Sequence, residues 1–183
     1  MTPQQKTDLR QIMRNRIRLL SPAERASASN ALVNQLWHLP RIQAAGTVGI
    51  YLPLPDEPDL LPLWHRLLQA GKSLALPLPT HQDFWAFHRV TALTPLQPGP
   101  MGTASPPIAE RIPPESFDLI VIPGRAFTQS GARLGRGNGI YDRLLATSKA
   151  YHIGVGFSCQ CVDTLPQEDH DQLMHQICLG PTP

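Results

Sequence analysis

Between residues 131 and 143 the chain reads Gly131-Ala132-Arg133-Leu134-Gly135-Arg136-Gly137-Asn138-Gly139-Ile140-Tyr141-Asp142-Arg143, with four glycines and three arginines. Glycines allow positive φ and close approach of backbone N–H groups to oxygens, and guanidinium groups add permanent, bidentate donors. Together they are suited to a polyphosphate. The segment follows an apolar run, Asp118 to Pro123, so it leads from the end of a buried strand toward a helix, where open parallel sheets bind ligands. It is not a P-loop, because the Lys-Ser/Thr ending is missing, and its glycine spacing is not that of the dinucleotide fingerprint. Taken alone, the glycines fit a tight turn with solvated arginines equally well; the arginines and the position after a core strand favour an anion site.

Other candidates lie far away in the chain. Lys6 and Arg10 stand one helical turn apart on one face, which reads either as a phosphate contact or as a solvated basic face. Nearer by, Asp142 directly follows the loop and by position alone reads as a helix N-terminal cap. Cys159, Cys161 and Cys178 lack the ligand count of a structural zinc site and read as reduced thiols.

These residues need elements to hold them. Leu9, Ile12, Met13, Ile17 and Leu20 recur at helical spacing and predict an amphipathic helix over 6–20. Ser21-Pro22-Ala23-Glu24 supplies a hydroxyl cap, a first-turn proline and a capping-box glutamate for a second helix reaching Leu36 and ending near Pro40. A strand over 47–52, a helix over 60–70 stopped by Gly71 and a strand over 72–77 have the order of a parallel crossover. A more exposed strand is expected over 84–90, and 94–114 reads as a long irregular loop. Asp118 to Pro123 should be a central strand buried on both faces. A helix over 141–149 and strands over 152–157 and 176–179 complete an α/β pattern in three layers, a single domain spanning 1–183.

Composition narrows the function classes. Hydrophobic residues make up 42% of the 183 and charged residues 16%, too apolar for disorder, while the apolar runs are too short and broken to cross a bilayer. A formal charge of +2 is too small for a nucleic-acid footprint. No membrane or nucleic-acid partner is expected. The N-terminal stretch has no apolar h-region, which points to the cytoplasm.

The segment Pro123-Gly124-x-Ala126-Phe127, then Gly131-x-Arg133-Leu134-Gly135-x-Gly137-x-Gly139-x-Tyr141-Asp142-Arg143, resembles the signature of 5-formyltetrahydrofolate cyclo-ligases, also called methenyltetrahydrofolate synthetases. The likeness extends through Lys6-x-x-x-Arg10, Tyr51-x-Pro-Leu-x-x-Glu57, Pro77, Gly102, Leu165-Pro166 and His170-Asp171. It implies a three-layer α/β/α single domain with a mainly parallel central sheet, NagB/RpiA/CoA transferase-like, acting as a monomer. It also implies a reaction in which ATP, as co-substrate, and 5-formyltetrahydrofolate, with or without a polyglutamate tail, yield 5,10-methenyltetrahydrofolate, ADP and phosphate with Mg2+.

By that resemblance Lys6, Arg10 and Arg133, Leu134, Gly135, Arg136, Gly137, Asn138, Gly139, Ile140 and Tyr141 bind ATP. Leu52 and Glu57 bind the folate together with Arg136 through Ile140, Arg136 and Tyr141 are catalytic, and Asp142 and Asp171 hold the metal. The implied mechanism phosphorylates the formyl oxygen and needs no protein nucleophile. Tyr51, Trp85 and Phe87 are candidates for pterin walls, and His170 for a proton carrier. The chain departs from the family pattern at Ile140, where a tyrosine is usual, at Thr128 for an aspartate, and at Ser105 for a glutamate. These departures bear on the folate more than on ATP. The alternative is a non-catalytic homologue that binds nucleotide or folate without turnover.

Overall fold

The computed structural model describes residues 3–79, 85–91, 97–98, 104–105, 110–165, 168 and 171–182. Its first helix, α1, runs Pro3–Leu19 and turns Met13 and Ile17 into the interior. Ile12, counted with the apolar stripe, instead lies 48% exposed. Helix α2, Pro22–Trp37, begins as its sequence predicts. The Glu24 N–H donates to the Ser21 hydroxyl at 3.2 Å, and the Ser21 N–H donates to the Glu24 carboxylate at 2.6 Å. This reciprocal cap satisfies two donors that helix geometry leaves unpaired. A short α3, Pro40–Ala44, leads into β1, Thr47–Gly49; α4, Leu61–Gln69, then crosses to β2, Ser73–Pro79. Gly71, at φ +74°, takes the left-handed conformation that ends α4.

The remaining strands are β3, Trp85–Val90, β4, Gln97–Pro98, β5, Ala104–Ser105, β6, Arg111–Ile112, β7, Leu119–Pro123, β8, Ala126–Phe127, β9, Arg133–Leu134, β10, Tyr151–Phe157, and β11, Gln176–Gly180. The last helix, α5, spans Ile140–Leu145. Seven strands form one sheet in the order β11-β10-β7-β1-β2-β3-β6. The first five are parallel, and β3 and β6 add an antiparallel edge. The span read as an irregular loop thus contributes β6 to the sheet edge and pairs β4 with β5.

Both faces of β7 are buried, as its unbroken apolar run requires. Leu119 and Val121 join Val48, Leu74, Leu76, Ile153 and Val155 under α2 and α4. Ile120 and Ile122 face the other way, with Phe87, Phe117, Leu144 and Leu145. The second layer is thin, because α5 is shorter than the nine residues from Tyr141 to Lys149 that apolar spacing suggested. The side chains that end it are Leu144 and Leu145, and the next turn holds small and polar residues with no apolar face to bury.

Candidate active site

Distant parts of the chain meet at the carboxyl ends of β1, β2 and β7 around a cavity of about 410 Å³. The start of α1, the segment after β1, the end of β2, the start of β3, the glycine-rich segment and residues near the C-terminus each supply part of the wall. Lys6, Arg10, Leu52, Glu57, every residue from Arg133 to Asp142, and Asp171 all line it. Residues separated by more than a hundred positions are thereby brought together, at the edge of a parallel sheet where ligands bind in such folds.

The glycine segment does not pass straight from strand to helix. Strands β8 and β9 pair as an antiparallel hairpin, and the Arg125 N–H donates to the Leu134 carbonyl at 2.6 Å. At its tip the Thr128 hydroxyl accepts the Ala132 N–H at 3.0 Å and bonds the Ser130 hydroxyl at 2.8 Å. A threonine can therefore close this turn where the family pattern has aspartate. Beyond the hairpin, Gly137 sits at φ +106° and Gly139 at φ +60°. A Cβ on Gly137 would also come within 3.4 Å of the Arg10 guanidinium carbon. Since α5 has only six residues, the exposed N–H groups and the arginines around the cavity carry more of its positive character than a helix dipole does.

Most of the cations around the cavity are matched by carboxylates. Lys6 Nζ lies 2.8 Å from Glu168 Oε1 and 3.6 Å from Asp171 Oδ2. Arg133 Nη2 donates to Asp142 Oδ1 at 2.7 Å, while its buried Nε has no hydrogen-bond partner. Arg136 donates through Nε and Nη2 to Glu57 Oε1, at 3.0 and 2.8 Å, and through Nη2 to Asp56 Oδ1. Arg10 differs, for its Nε donates to the Gly135 carbonyl at 2.9 Å and so ties α1 to the glycine segment. Arg143 does the same locally by donating to the Asn138 carbonyl at 2.9 Å.

The electrostatics constrain what two of these groups can do. Burial pushes the Tyr141 hydroxyl well above its ordinary value and the Glu57 carboxylate adds to this, against a weaker pull from Arg133 and Arg136. Tyr141 therefore keeps its proton and has an O–H to donate. Burial alone would raise Asp56, but hydrogen bonds and charge from Arg125 and Arg136 outweigh it and hold the carboxyl below its usual range.

Asp142 and Asp171 both face the cavity, the first bonded to Arg133 and the second close to Lys6. Among the described residues no group of three or more His, Cys, Asp and Glu side chains could hold a metal. Two carboxylates at the cavity wall nevertheless supply the oxygen donors magnesium takes, since it keeps several waters and needs only one or two carboxylates from protein.

The aromatic candidates divide. Tyr51 and Trp85 line the cavity, and the Tyr51 hydroxyl is tied to the Pro58 carbonyl at 2.8 Å. Phe87 is no part of the wall: it is buried in the core with Ile120, Ile122 and Phe117, its ring 4.6 Å from that of Phe117. Trp85 shares its face of β3 but pairs with Pro79 at the carboxyl end of β2, beside the cavity. His170 lies outside the described residues, and so does Gly102. Sequence reasoning missed Asp56, Arg125, Gln160 and Glu168. Asp56 is marked only by standing next to Glu57, and Arg125 occupies a variable position within the recognised motif, so spacing could not single them out.

A family model described as 5-formyltetrahydrofolate cyclo-ligase matches residues 2–180. The chain belongs to the 5-formyltetrahydrofolate cyclo-ligase family. Among its relatives, the 5-formyltetrahydrofolate cyclo-ligase of Mycolicibacterium smegmatis is 32% identical over 190 residues, covering 97% of this chain and 94% of the relative. That of Escherichia coli K12 is 29% identical over 167 residues, covering 87% and 92%. The NMR structure of Aquifex aeolicus 5,10-methenyltetrahydrofolate synthetase superposes with a TM-score of 0.85 at 34% identity, covering 96% of this chain and 89% of that one. Membership makes the chain an enzyme of this ligase class and accounts for the mainly parallel α/β sheet. No helix among the described residues is long and apolar enough to cross a membrane.

Proposed function

We propose that this chain, acting as one domain in the cytoplasm, converts 5-formyltetrahydrofolate and ATP to 5,10-methenyltetrahydrofolate, ADP and phosphate. The observation that carries this reading is the convergence of Lys6, Arg10, Arg133, Arg136 and the glycine backbone with Glu57, Leu52 and Trp85 around a single cavity. One wall is cationic and rich in backbone donors, as a triphosphate needs; the other offers a carboxylate among apolar side chains, as a pterin needs.

In the proposed reaction the formyl oxygen attacks the γ-phosphorus and the bond to the β,γ-bridging oxygen breaks, releasing ADP. The folate N10 then adds to the phosphorylated formyl carbon, and loss of its proton and of phosphate closes the methenyl ring. Arg133 and Arg136 are placed to meet the charge that develops on the phosphoryl oxygens, and the glycine segment to hold the nucleotide in line. Tyr141, which retains its proton, supplies a further donor. Glu57 accepts hydrogen bonds from pterin N–H groups. Asp142 and Asp171 would hold magnesium, whose chemistry there is to neutralise phosphate charge. Because attack and departure occur on the substrates themselves, the protein contributes position and electrostatics and no nucleophile.

The test is phosphate release from ATP with magnesium, measured with and without 5-formyltetrahydrofolate, alongside absorbance of the methenyl product. Phosphate and methenyl product are expected in equal amounts and only when the folate is present. Phosphate release without the folate, or none with it, would overturn the reading; ATP binding without turnover would identify a non-catalytic homologue instead.

A further inference from the structure

Arg125 is a buried cation, its side chain only 5% exposed, at the foot of the β8–β9 hairpin. A guanidinium stays charged at any ordinary pH, so burying one without a partner is strongly unfavourable. Its carboxylate partner is Asp56, whose Oδ2 lies 2.5 Å from Arg125 Nη1. The backbone around Arg125 is itself held in place. Gln160, buried in the turn Ser158–Gln160 after β10, donates Nε2 to the carbonyls of Gly124 and Arg125 at 2.7 and 3.1 Å and accepts the Phe157 N–H at 2.7 Å. Asp56 is thus anchored to the core of the molecule through one oxygen. The other, Oδ1, accepts from Arg136 Nη2.

Asp56 does not line the cavity, whereas Glu57 and Arg136 both do. The two carboxylates that hold Arg136 therefore differ in what a ligand can reach. A ligand entering the cavity meets Glu57 in its wall, whereas Asp56 bonds Arg136 from outside the wall. The bonds to Glu57 and Asp56 use Nε and Nη2, so among the described residues Nη1 remains for an incoming oxygen. A partly exposed arginine otherwise samples many rotamers and loses that freedom on binding.

We propose that Asp56, fixed by the buried Arg125, is a positioning residue for Arg136, keeping its guanidinium aimed into the cavity when Glu57 turns to a ligand. The inference deepens the reading given above and rests on Arg136 meeting substrate there. It makes the β8–β9 hairpin and the turn at Gln160 part of the active site's scaffold, although neither Arg125 nor Gln160 touches the cavity.

A purely structural role, neutralising Arg125, predicts something different. The decisive variant combines Asp56→Asn with Arg125→Met, which removes the buried cation together with its counter-charge. The double variant should melt close to the wild type yet lose about 10- to 100-fold in kcat, with the KM of each substrate moving less than kcat. Wild-type kcat in a folded double variant would overturn the proposal. A second readout needs no turnover: exchange at low temperature of the Arg136 Nη2–H protons, one of which Asp56 accepts, by NMR in ligand-free protein, their resonances assigned by their loss in Arg136→Lys. Exchange should accelerate about tenfold or more in the double variant. Unchanged exchange would also overturn the proposal. If the double variant does not fold, the same exchange in Asp56→Asn alone decides the matter. If wild-type protein makes no methenyl product, the functional reading falls and exchange by itself decides whether Asp56 positions Arg136.

Discussion

The two ends of the central sheet use their charges in opposite ways. At the amino end, Asp118 accepts the N–H groups of Gly46 and Thr47 at 2.8 and 2.9 Å, and Lys72 Nζ donates to the carbonyls of Gln43 and Ala45 at 2.7 and 2.6 Å. Arg41 lies over the Tyr151 ring, 4.9 Å from its centroid. There, side-chain charge finishes hydrogen bonds that the strand ends leave open. At the carboxyl end, Lys6, Arg133 and Arg136 instead bond carboxylates across or beside a cavity. A charge bonded to backbone is committed to the fold, while a charge paired with another mobile side chain can be exchanged for a ligand of the same sign as its partner. Both ends are polar, but only one is arranged for such exchange.

The comparison is most severely tested at Arg136. Replacing it with alanine should lower kcat by about 10²- to 10³-fold, as for loss of a donor to developing charge, while the melting temperature changes little because Asp56 keeps Arg125. Absorbance of the methenyl product checks the rate and a thermal melt the stability. Loss of fold with loss of activity would erase the distinction between the two ends.

The amino end should show its character in pH dependence. His152 is buried beside His175, and burial above all, then the neighbouring imidazole, pushes it down to about 4. In the unfolded chain it titrates near the ordinary histidine value of about 6.5. Between those values the unfolded state binds the extra proton, so stability falls as the pH drops from about 6.5 to about 4, by up to about 1.4 kcal/mol per unit. Above that window the contribution is constant. Denaturant melts across this range should show a shallower slope in His152→Gln, and an equal slope in both proteins would remove His152 from the account.

Asp118→Ala should cost about 1–2 kcal/mol in denaturant melts, since two backbone donors lose a charged acceptor near solvent, and should leave kcat of the folded enzyme unchanged. A drop in kcat would mean that the amino end reaches the chemistry. The smallest effect is expected at Ser21→Ala, which removes the hydroxyl half of the α2 cap for about 1 kcal/mol with no change in activity.

Some features were legible because they depend on local physics. The capping box at Ser21, the stop at Gly71 and the doubly buried run of β7 each follow from a few consecutive residues, and the structure reproduces them. The β8–β9 hairpin was not legible, for two-residue strands carry no periodicity and this pairing is set by Thr128 and the bond from Arg125 to Leu134. Phe87 was misplaced for a related reason. It shares a face of β3 with Trp85, and their spacing does not reveal which of the two stands at the strand end beside the cavity.

Residue types and spacing by themselves offered a segment of glycines and arginines suited to phosphate and a helix bearing Lys6 and Arg10 on one face, while the carboxylates gained their suggested roles only from the family resemblance. Those properties belong to side chains and short spacings, which the chain carries before it folds. Only the tertiary structure decided which of these groups meet. It placed Arg136 between Glu57 and an Asp56 anchored by Arg125, because ion pairs between distant segments depend on how the sheet stacks its strand ends, and no spacing along the chain records that.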